Sequence, residues 1–360
     1  MSVLVAVAAL LDRAVAEGVA PAAAAAVISN GRIAHESFHG TDAPRGRGGG
    51  APIGPRHVFD VASLTKVMAT GSLAAKLLAG GALELDAPAA RYAPAAFVDE
   101  KAAITVRQLL AHSAGFPTTA PLARGGLQAY VAGTPLEAAP GARTLYSDVG
   151  FVGLGLVIEA ISRAPLDALA QGRVFGPLRL DQTLFIPEKI PFLAERLRKM
   201  HAFVPTVRAS RPTDVRSAVV DDDVVRTAQG VAGHAGVFSS ARDVAAFGQA
   251  WLDALAGRSA WLSQTAAAEL VRRDATPGST RALAWDLPSG AEPSIGSRLG
   301  RGPKGAIGHL GFTGCSLWID LDAEVVCALV TNHCPAPGDL SRIRPLRRAF
   351  HDAVAESLGS

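Results

Sequence analysis

The chain has 360 residues, 49% hydrophobic and 19% charged, with a formal net charge of +3. That length can bury a large core, in one big domain or two lobes. The basic excess is too small and too scattered for a nucleic-acid surface, and neither zinc-finger spacing nor an RNA-binding aromatic signature occurs. Cys315, Cys327 and Cys334 cluster late, odd in number and without metal-site spacing. They read as reduced thiols of a cytoplasmic protein.

The opening run is apolar and reads as an amphipathic helix, Val3 to Glu17. Asp12 and Arg13 break it after about ten residues, short of a membrane span. No basic residue precedes it, so it does not read as a signal peptide, and a cytoplasmic location is expected. No later stretch reaches the roughly eighteen apolar residues of a membrane helix. Ala22–Ile28 and Arg32–His39 flank Asn30-Gly31, the strongest short hairpin signal. His35-Glu36-Ser37-Phe38-His39 matches the zinc motif H-E-x-x-H. That motif needs a helix, because residues four apart on a strand lie about 13 Å apart. No metal site is assigned. Thr41–Gly54, rich in Gly, Pro and Arg, reads as a flexible loop.

Phe59–Gly80 is apolar on nearly every side, the pattern of a core helix, and Gly80-Gly81 supplies its stop. Ser63 stands at its start as a predicted N-cap, and Lys66, three residues on, shares its face. An ammonium in such surroundings must be partnered or lose its proton. Thr105 caps a short helix predicted over Val106–His112, where His112 reads as a local hydrogen-bonding residue. A loop from Pro140-Gly141 carries Tyr146-Ser147-Asp148 into a long apolar helix, Val149–Arg163. Gly150, Gly153 and Gly155 predict close packing of that helix. Gln171–Arg226 has few periodic runs, and Asp221-Asp222-Asp223 within it reads as a solvated turn. Gly230–Ser240 is a glycine-rich turn, with Ser239 or Ser240 capping a helix over Ala241–Leu255. The stretch Gly308-His309-Leu310-Gly311-Phe312-Thr313-Gly314 precedes strands Cys315–Asp320 and Glu324–Thr331. After Pro335–Gly338 a final amphipathic helix runs to about Leu358. Strands at both ends and helices between them predict an α+β fold in a single domain. Its antiparallel sheet comes from the N- and C-terminal segments, about 1–60 and 240–360, flanked by helices. A mainly helical lobe, about 61–239, is inserted.

Three short motifs stand in order: Ser63-x-x-Lys66, Tyr146-Ser147-Asp148 and His309-Leu310-Gly311. Together they resemble the serine β-lactamase and penicillin-binding family. The likeness is specifically to its class C-like branch, which also holds family VIII esterases and D-alanyl-D-alanine peptidase-like hydrolases. Ile104–Phe116, Pro140–Gly155, Phe175–Phe185, Val231–Phe247 and the stretch from Gly308 to Asn332 extend the resemblance over nearly the whole chain.

The resemblance implies a β-lactamase/transpeptidase-like fold and an acyl-enzyme formed on Ser63. A serine hydroxyl is a poor nucleophile until a base takes its proton. Lys66 could be that base, or could lower the Tyr146 pKa by its charge; we favour Tyr146 as the proton carrier, aided by Lys66. Asp148 stands where many relatives carry asparagine, and would favour protonated Lys66. His309 stands where β-lactamases carry a lysine that recognises the substrate carboxylate, so a less anionic ester or amide is expected. Backbone N–H groups of Ser63 and Phe312 map to the oxyanion hole, and Gly311 lets the strand approach the acyl group. His234 is placed by resemblance at the pocket rim. No cofactor is implied. The expected partner is a small ester, amide or β-lactam, not a nucleic acid or membrane. The leading expectation is an esterase or weakly β-lactamase-like serine hydrolase. The alternatives are a D-amino-acid peptidase, an acyltransferase, or a catalytically silent binding protein of the same fold.

Overall fold

Alternation along one alanine-rich strand sets the layers. The computed structural model describes residues 4–43, 50–121, 125–206, 218–333 and 340–359. Among these the strands are β1 (Ala22–Ser29), β2 (Arg32–Gly40), β3 (His57–Asp60), β4 (Ala202–Phe203), β5 (Phe238–Ser239), β6 (Ala306–Leu310), β7 (Ser316–Asp320) and β8 (Val325–Thr331). In β1, Ala22, Ala24, Ala26 and Ile28 join one core, while Ala23, Ala25 and Val27 join another. This is the period of two of a strand buried on both faces. Alanine has little intrinsic β propensity, but its small side chain lets helices close in from both sides.

The main sheet is antiparallel, in the order β2-β1-β8-β7-β6. The α+β prediction, with a sheet joining N- and C-terminal segments, holds. The Asn30-Gly31 hairpin forms as expected, with φ of 50° and 72° at its two turn residues, as a type I′ turn requires. His35 and His39 lie on β2, and each takes its own local partner: Ser37 Oγ at 2.9 Å and Asp12 Oδ1 at 2.7 Å. The helices Val5–Ala16 and Ile343–Leu358 cover one face through Val7, Leu11, Phe350 and Val354. The helix Ala241–Leu255 covers the other with Phe247 and Trp251. Ser240, not Ser239, caps it, accepting the N–H of Asp243 at 3.1 Å. A small second sheet, β4-β3-β5, leads into the Ser63 segment. Cys315 and Cys327 are buried and unpaired. Cys334, parts of the loop 41–54 and of the section 171–226, and the Pro335–Gly338 turn lie outside the described residues.

Close packing by glycine holds, with one exception. Among the three glycines of the helix Asp148–Ser162, a Cβ on Gly153 would meet the Phe97 ring at 2.8 Å, and one on Gly155 would meet Gly233 Cα at 3.2 Å. At Gly150 the nearest atom stands at an ordinary 3.7 Å. Gly233 is the tighter partner, since a Cβ there would lie 2.1 Å from the Phe151 carbonyl oxygen. Its own carbonyl accepts from Thr70 Oγ1 at 2.6 Å, and the next carbonyl, His234, accepts from Lys66 Nζ at 3.1 Å. Absent side chains at Gly155 and Gly233 therefore bring this loop onto the Lys66 helix. The backbone clash predicts that Gly233→Ala costs about 1–3 kcal/mol, the range of overpacked cores. Urea unfolding checks it; an unchanged midpoint would show that the loop is not held by this contact.

Candidate active site

Ser63 reaches the pocket through an irregular turn. Ala62 has a φ of +48°, a left-handed conformation that costs a non-glycine residue about 1–2 kcal/mol. Asp60 holds it there, accepting the Ala62 N–H at 2.9 Å. A 3-10 turn over Ala62–Leu64 follows, then a π turn over Lys66–Gly71, then a regular helix over Ser72–Ala79. The expectation that Ser63 caps the helix is corrected: its side chain caps nothing and instead accepts a hydrogen bond from Lys66 Nζ at 2.9 Å. The kink at Ala62 turns Oγ toward the pocket.

Lys66 is fully buried, yet its ammonium is well partnered. Besides Ser63 Oγ, Nζ donates to Asp148 Oδ1 at 2.7 Å and to the His234 carbonyl at 3.1 Å. Asp148 opens the helix Asp148–Ser162, which Ser147 caps by accepting the Gly150 N–H at 3.1 Å. Tyr146, just before this cap, has its phenol in hydrogen-bonding reach of both Ser63 and Lys66, and Nζ lies 4.9 Å from its ring centroid. His112 holds the tyrosine loop. Its Nδ1 accepts the Ser147 N–H at 2.9 Å, its carbonyl accepts the Leu145 N–H at 2.7 Å, and its ring lies 4.5 Å from that of Tyr146. The local hydrogen-bonding role expected of His112 is what is found, although its helix ends earlier, at Leu110.

The third motif lies on β6 and the turn after it. His309 is buried, 6.2 Å from the Tyr146 ring centroid to centroid. A Cβ on Gly311 would come within 2.5 Å of the Val61 carbonyl oxygen, so only glycine lets this turn lie against the Ser63 loop. Thr313 Oγ1 donates to the Asp60 carbonyl at 2.7 Å, stitching the two segments. Arg347, from the C-terminal helix, donates to the carbonyls of Gly314 at 3.1 Å and Cys315 at 2.9 Å, and also to that of Gly311. Phe312 is 40% exposed at the pocket wall. Among the described residues no protein acceptor takes the backbone N–H of Phe312 or Ser63.

The electrostatics follow from burial and one ion pair. Burial opposes charge on Lys66, but the Asp148 carboxylate and Tyr146 outweigh it and hold the ammonium above the ordinary lysine value. Burial raises the Tyr146 phenol; Lys66 pulls it down and Asp148 pushes it up, leaving a net rise. Thus Asp148 favours protonated Lys66 as expected, but Lys66 does not leave the phenol acidic. Burial depresses both histidines, His112 well below the ordinary value and His309 to about 4.

These residues share a cavity of about 590 Å³ that reaches Ser63, Tyr146, Asp148, His309, Gly311 and Phe312 together; Lys66 lies directly behind it. His234 lines it as expected. The acidic run 221–223 is not a solvated turn, and that reading is corrected. Asp221 is buried, and Asp222 caps the helix Asp223–Thr227 and lies 3.1 Å from His234 Nε2. Burial opposes charge on Asp222, but His234 and the Val225 N–H keep its carboxyl below the usual range. Asp60, Arg281, Asp286, Arg344 and Arg347 also line the cavity and were not foreseen. Arg281 pairs with Asp286 and lies 4.9 Å from the Tyr146 ring centroid. None belongs to a short motif, so no local signal marks them.

Known proteins show the same architecture. The chain is 28% identical over 360 positions to the N-acetylmuramyl-L-alanine amidase of Bacillus subtilis (strain 168), covering 91% of this chain and 80% of that one. The structure resembles EstCE1, a hydrolase with promiscuous acyltransferase activity, with a TM-score of 0.75, 20% identity and 98% of each chain covered. It also resembles unliganded simvastatin synthase (LovD) from Aspergillus terreus, with a TM-score of 0.75, 19% identity and 98% of each chain covered. The family model described as Beta-lactamase matches residues 7–351, and the chain belongs to that family.

Proposed function

We propose that the protein is a serine hydrolase that cleaves small esters or amides through an acyl-enzyme on Ser63. The observation that carries this reading is the buried Lys66 ammonium, held between Ser63 Oγ at 2.9 Å and Asp148 Oδ1 at 2.7 Å, with the Tyr146 phenol against the same pair. A purely structural lysine would need neither a nucleophile nor a phenol at its nitrogen, nor a cavity in front of them. Similar proteins support the chemistry: an amidase, a hydrolase with promiscuous acyltransferase activity and a synthase are among them.

In the resting state the cluster holds a lysine ammonium, an aspartate and a neutral phenol. Attack needs one proton fewer. With Tyr146 ionised and Lys66 still charged, the phenolate takes the proton from Ser63 as Oγ bonds to the carbonyl carbon. The carbonyl oxygen, gaining charge, accepts from the unpaired N–H groups of Ser63 and Phe312. Tyr146 then returns the proton to the leaving alcohol or amine as its bond to carbon breaks. Water repeats the sequence in reverse, releasing the acid and restoring Ser63. Asp148 keeps Lys66 charged, so the lysine orients and stabilises while the phenol carries the proton. A neutral His309 beside Gly311 puts no fixed charge on a substrate carboxylate there, which favours short-chain carboxylic esters over β-lactams.

On p-nitrophenyl acetate and butyrate, turnover is expected to exceed that on nitrocefin and on a D-alanyl-D-alanine peptide, and Ser63→Ala is expected to abolish it. Nitrocefin as the best substrate would overturn the ester preference; activity surviving in Ser63→Ala would overturn the acyl-serine reading.

Both candidate bases are held protonated at neutral pH, so kcat/KM is expected to rise with pH through 8 and 9 with no plateau near 7. Asp148 raises both groups. Asp148→Asn should therefore move the alkaline limb to lower pH, by about 1–2 units for loss of an adjacent charge. A limb that stays in place would show that neither Lys66 nor Tyr146 controls the proton transfer.

A further inference from the structure

The His309 ring has a defined tautomer. Its Nδ1 lies 2.9 Å from the Leu310 carbonyl oxygen. A carbonyl oxygen only accepts, so Nδ1 carries a hydrogen. Burial holds the ring neutral at pH 7, with Lys66 and Arg281 adding to this and Asp286 opposing it. A neutral imidazole has one N–H, so Nε2 presents a lone pair. The ring is 1% exposed and lines the cavity, and no protein group among the described residues bonds to Nε2. A buried acceptor without a partner costs about 1–3 kcal/mol, so a ligand that supplies a donor gains what one without a donor does not.

We infer that His309 Nε2 accepts a hydrogen bond from an uncharged O–H or N–H group of the substrate, so that the site selects hydroxylated or amide-bearing acyl compounds and rejects a carboxylate at that position. This rests on the acyl-serine reading, since it takes the Ser63 cavity as the substrate site. A carboxylate brought to Nε2 would set two lone pairs against each other. A lysine at this position would do the reverse, offering only donors. Arg281, paired with Asp286, and Arg344, exposed further along the cavity wall, would give the opposite selectivity, and the test separates them from His309.

Two measurements on the full-length protein decide it. In ¹⁵N-histidine spectra at pH 7, with His309→Gln used for assignment, His309 is expected to carry its proton on Nδ1 and a free lone pair on Nε2. Phenylboronic acids, which form reversible adducts with a serine hydroxyl, then probe the cavity with meta or para hydroxymethyl, methoxymethyl or carboxyl groups. The hydroxymethyl compound should bind about tenfold tighter than its methoxymethyl counterpart at one of the two positions, the worth of one hydrogen bond, and the carboxyl compound weakest there. His309→Gln, whose amide oxygen also accepts, should keep that order, whereas His309→Lys should make the carboxyl compound the tightest. A proton on Nε2 would overturn the inference. So would a carboxyl preference in the unaltered protein, which would give recognition to Arg281 or Arg344, or an order that His309→Lys leaves unchanged. Boronates that fail to bind, or that bind equally after Ser63→Ala, would instead remove the acyl-serine reading, while the spectra still report the tautomer.

Discussion

A positive charge buried in an apolar helix is the constraint around which the rest is arranged. An uncompensated ammonium in a protein interior costs several kcal/mol, and the Lys66 side chain has no exposure at all. Its three acceptors come from three separate segments: Ser63 Oγ from the same turn, Asp148 from the start of another helix and the His234 carbonyl from a glycine-rich loop. Each must be brought to one nitrogen within about 3 Å, so the ion pair specifies how these segments pack. Gly155 and Gly233 serve this end, since close approach of their backbones brings the His234 carbonyl within reach.

The main sheet answers the same need from the other side. Five antiparallel strands leave β6 at an edge, against the Ser63 loop. Edge strands expose unpaired backbone groups, normally a liability. Here the chain leaves the edge in a turn that Arg347 ties down through its carbonyls and Thr313 ties to Asp60. Among the described residues the Phe312 N–H of this turn has no protein acceptor, which leaves it available as the donor that the proposed acyl-serine chemistry needs.

Much of this was legible in the residues alone, wherever a local rule governs. A short apolar run beside Asn30-Gly31 marks β1 and its hairpin, and Ser240 and Thr105 cap the helices assigned to them. The three motifs converge as their order implied. What local rules miss is set by distant partners. Ser63 looks like an N-cap until Asp60 is seen to hold Ala62 in a left-handed kink. Asp221-Asp222-Asp223 looks solvated because charge runs usually are, but Asp221 is buried, and His234 and the Val225 N–H hold the half-buried Asp222 carboxylate. Arg347 is one arginine among several in an amphipathic helix, and only the turn it meets reveals its role.

The same compensation accounts for the two histidines flanking Tyr146. His112 accepts the Ser147 N–H at its Nδ1, while His309 donates from its Nδ1 to the Leu310 carbonyl. The backbone thus imposes opposite tautomers on two rings that both touch the phenol's surroundings. Either ring, if protonated, would add a cation beside Lys66 and Arg281 in a site already short of solvent, and burial together with those charges depresses both. Neutral histidines add no further cation to the Ser63, Lys66 and Tyr146 cluster, whose ammonium Asp148 pairs directly. A single proton can then move between oxygen atoms without a neighbouring imidazole taking it, a condition that a tyrosine-based relay needs and a histidine-rich pocket would otherwise defeat.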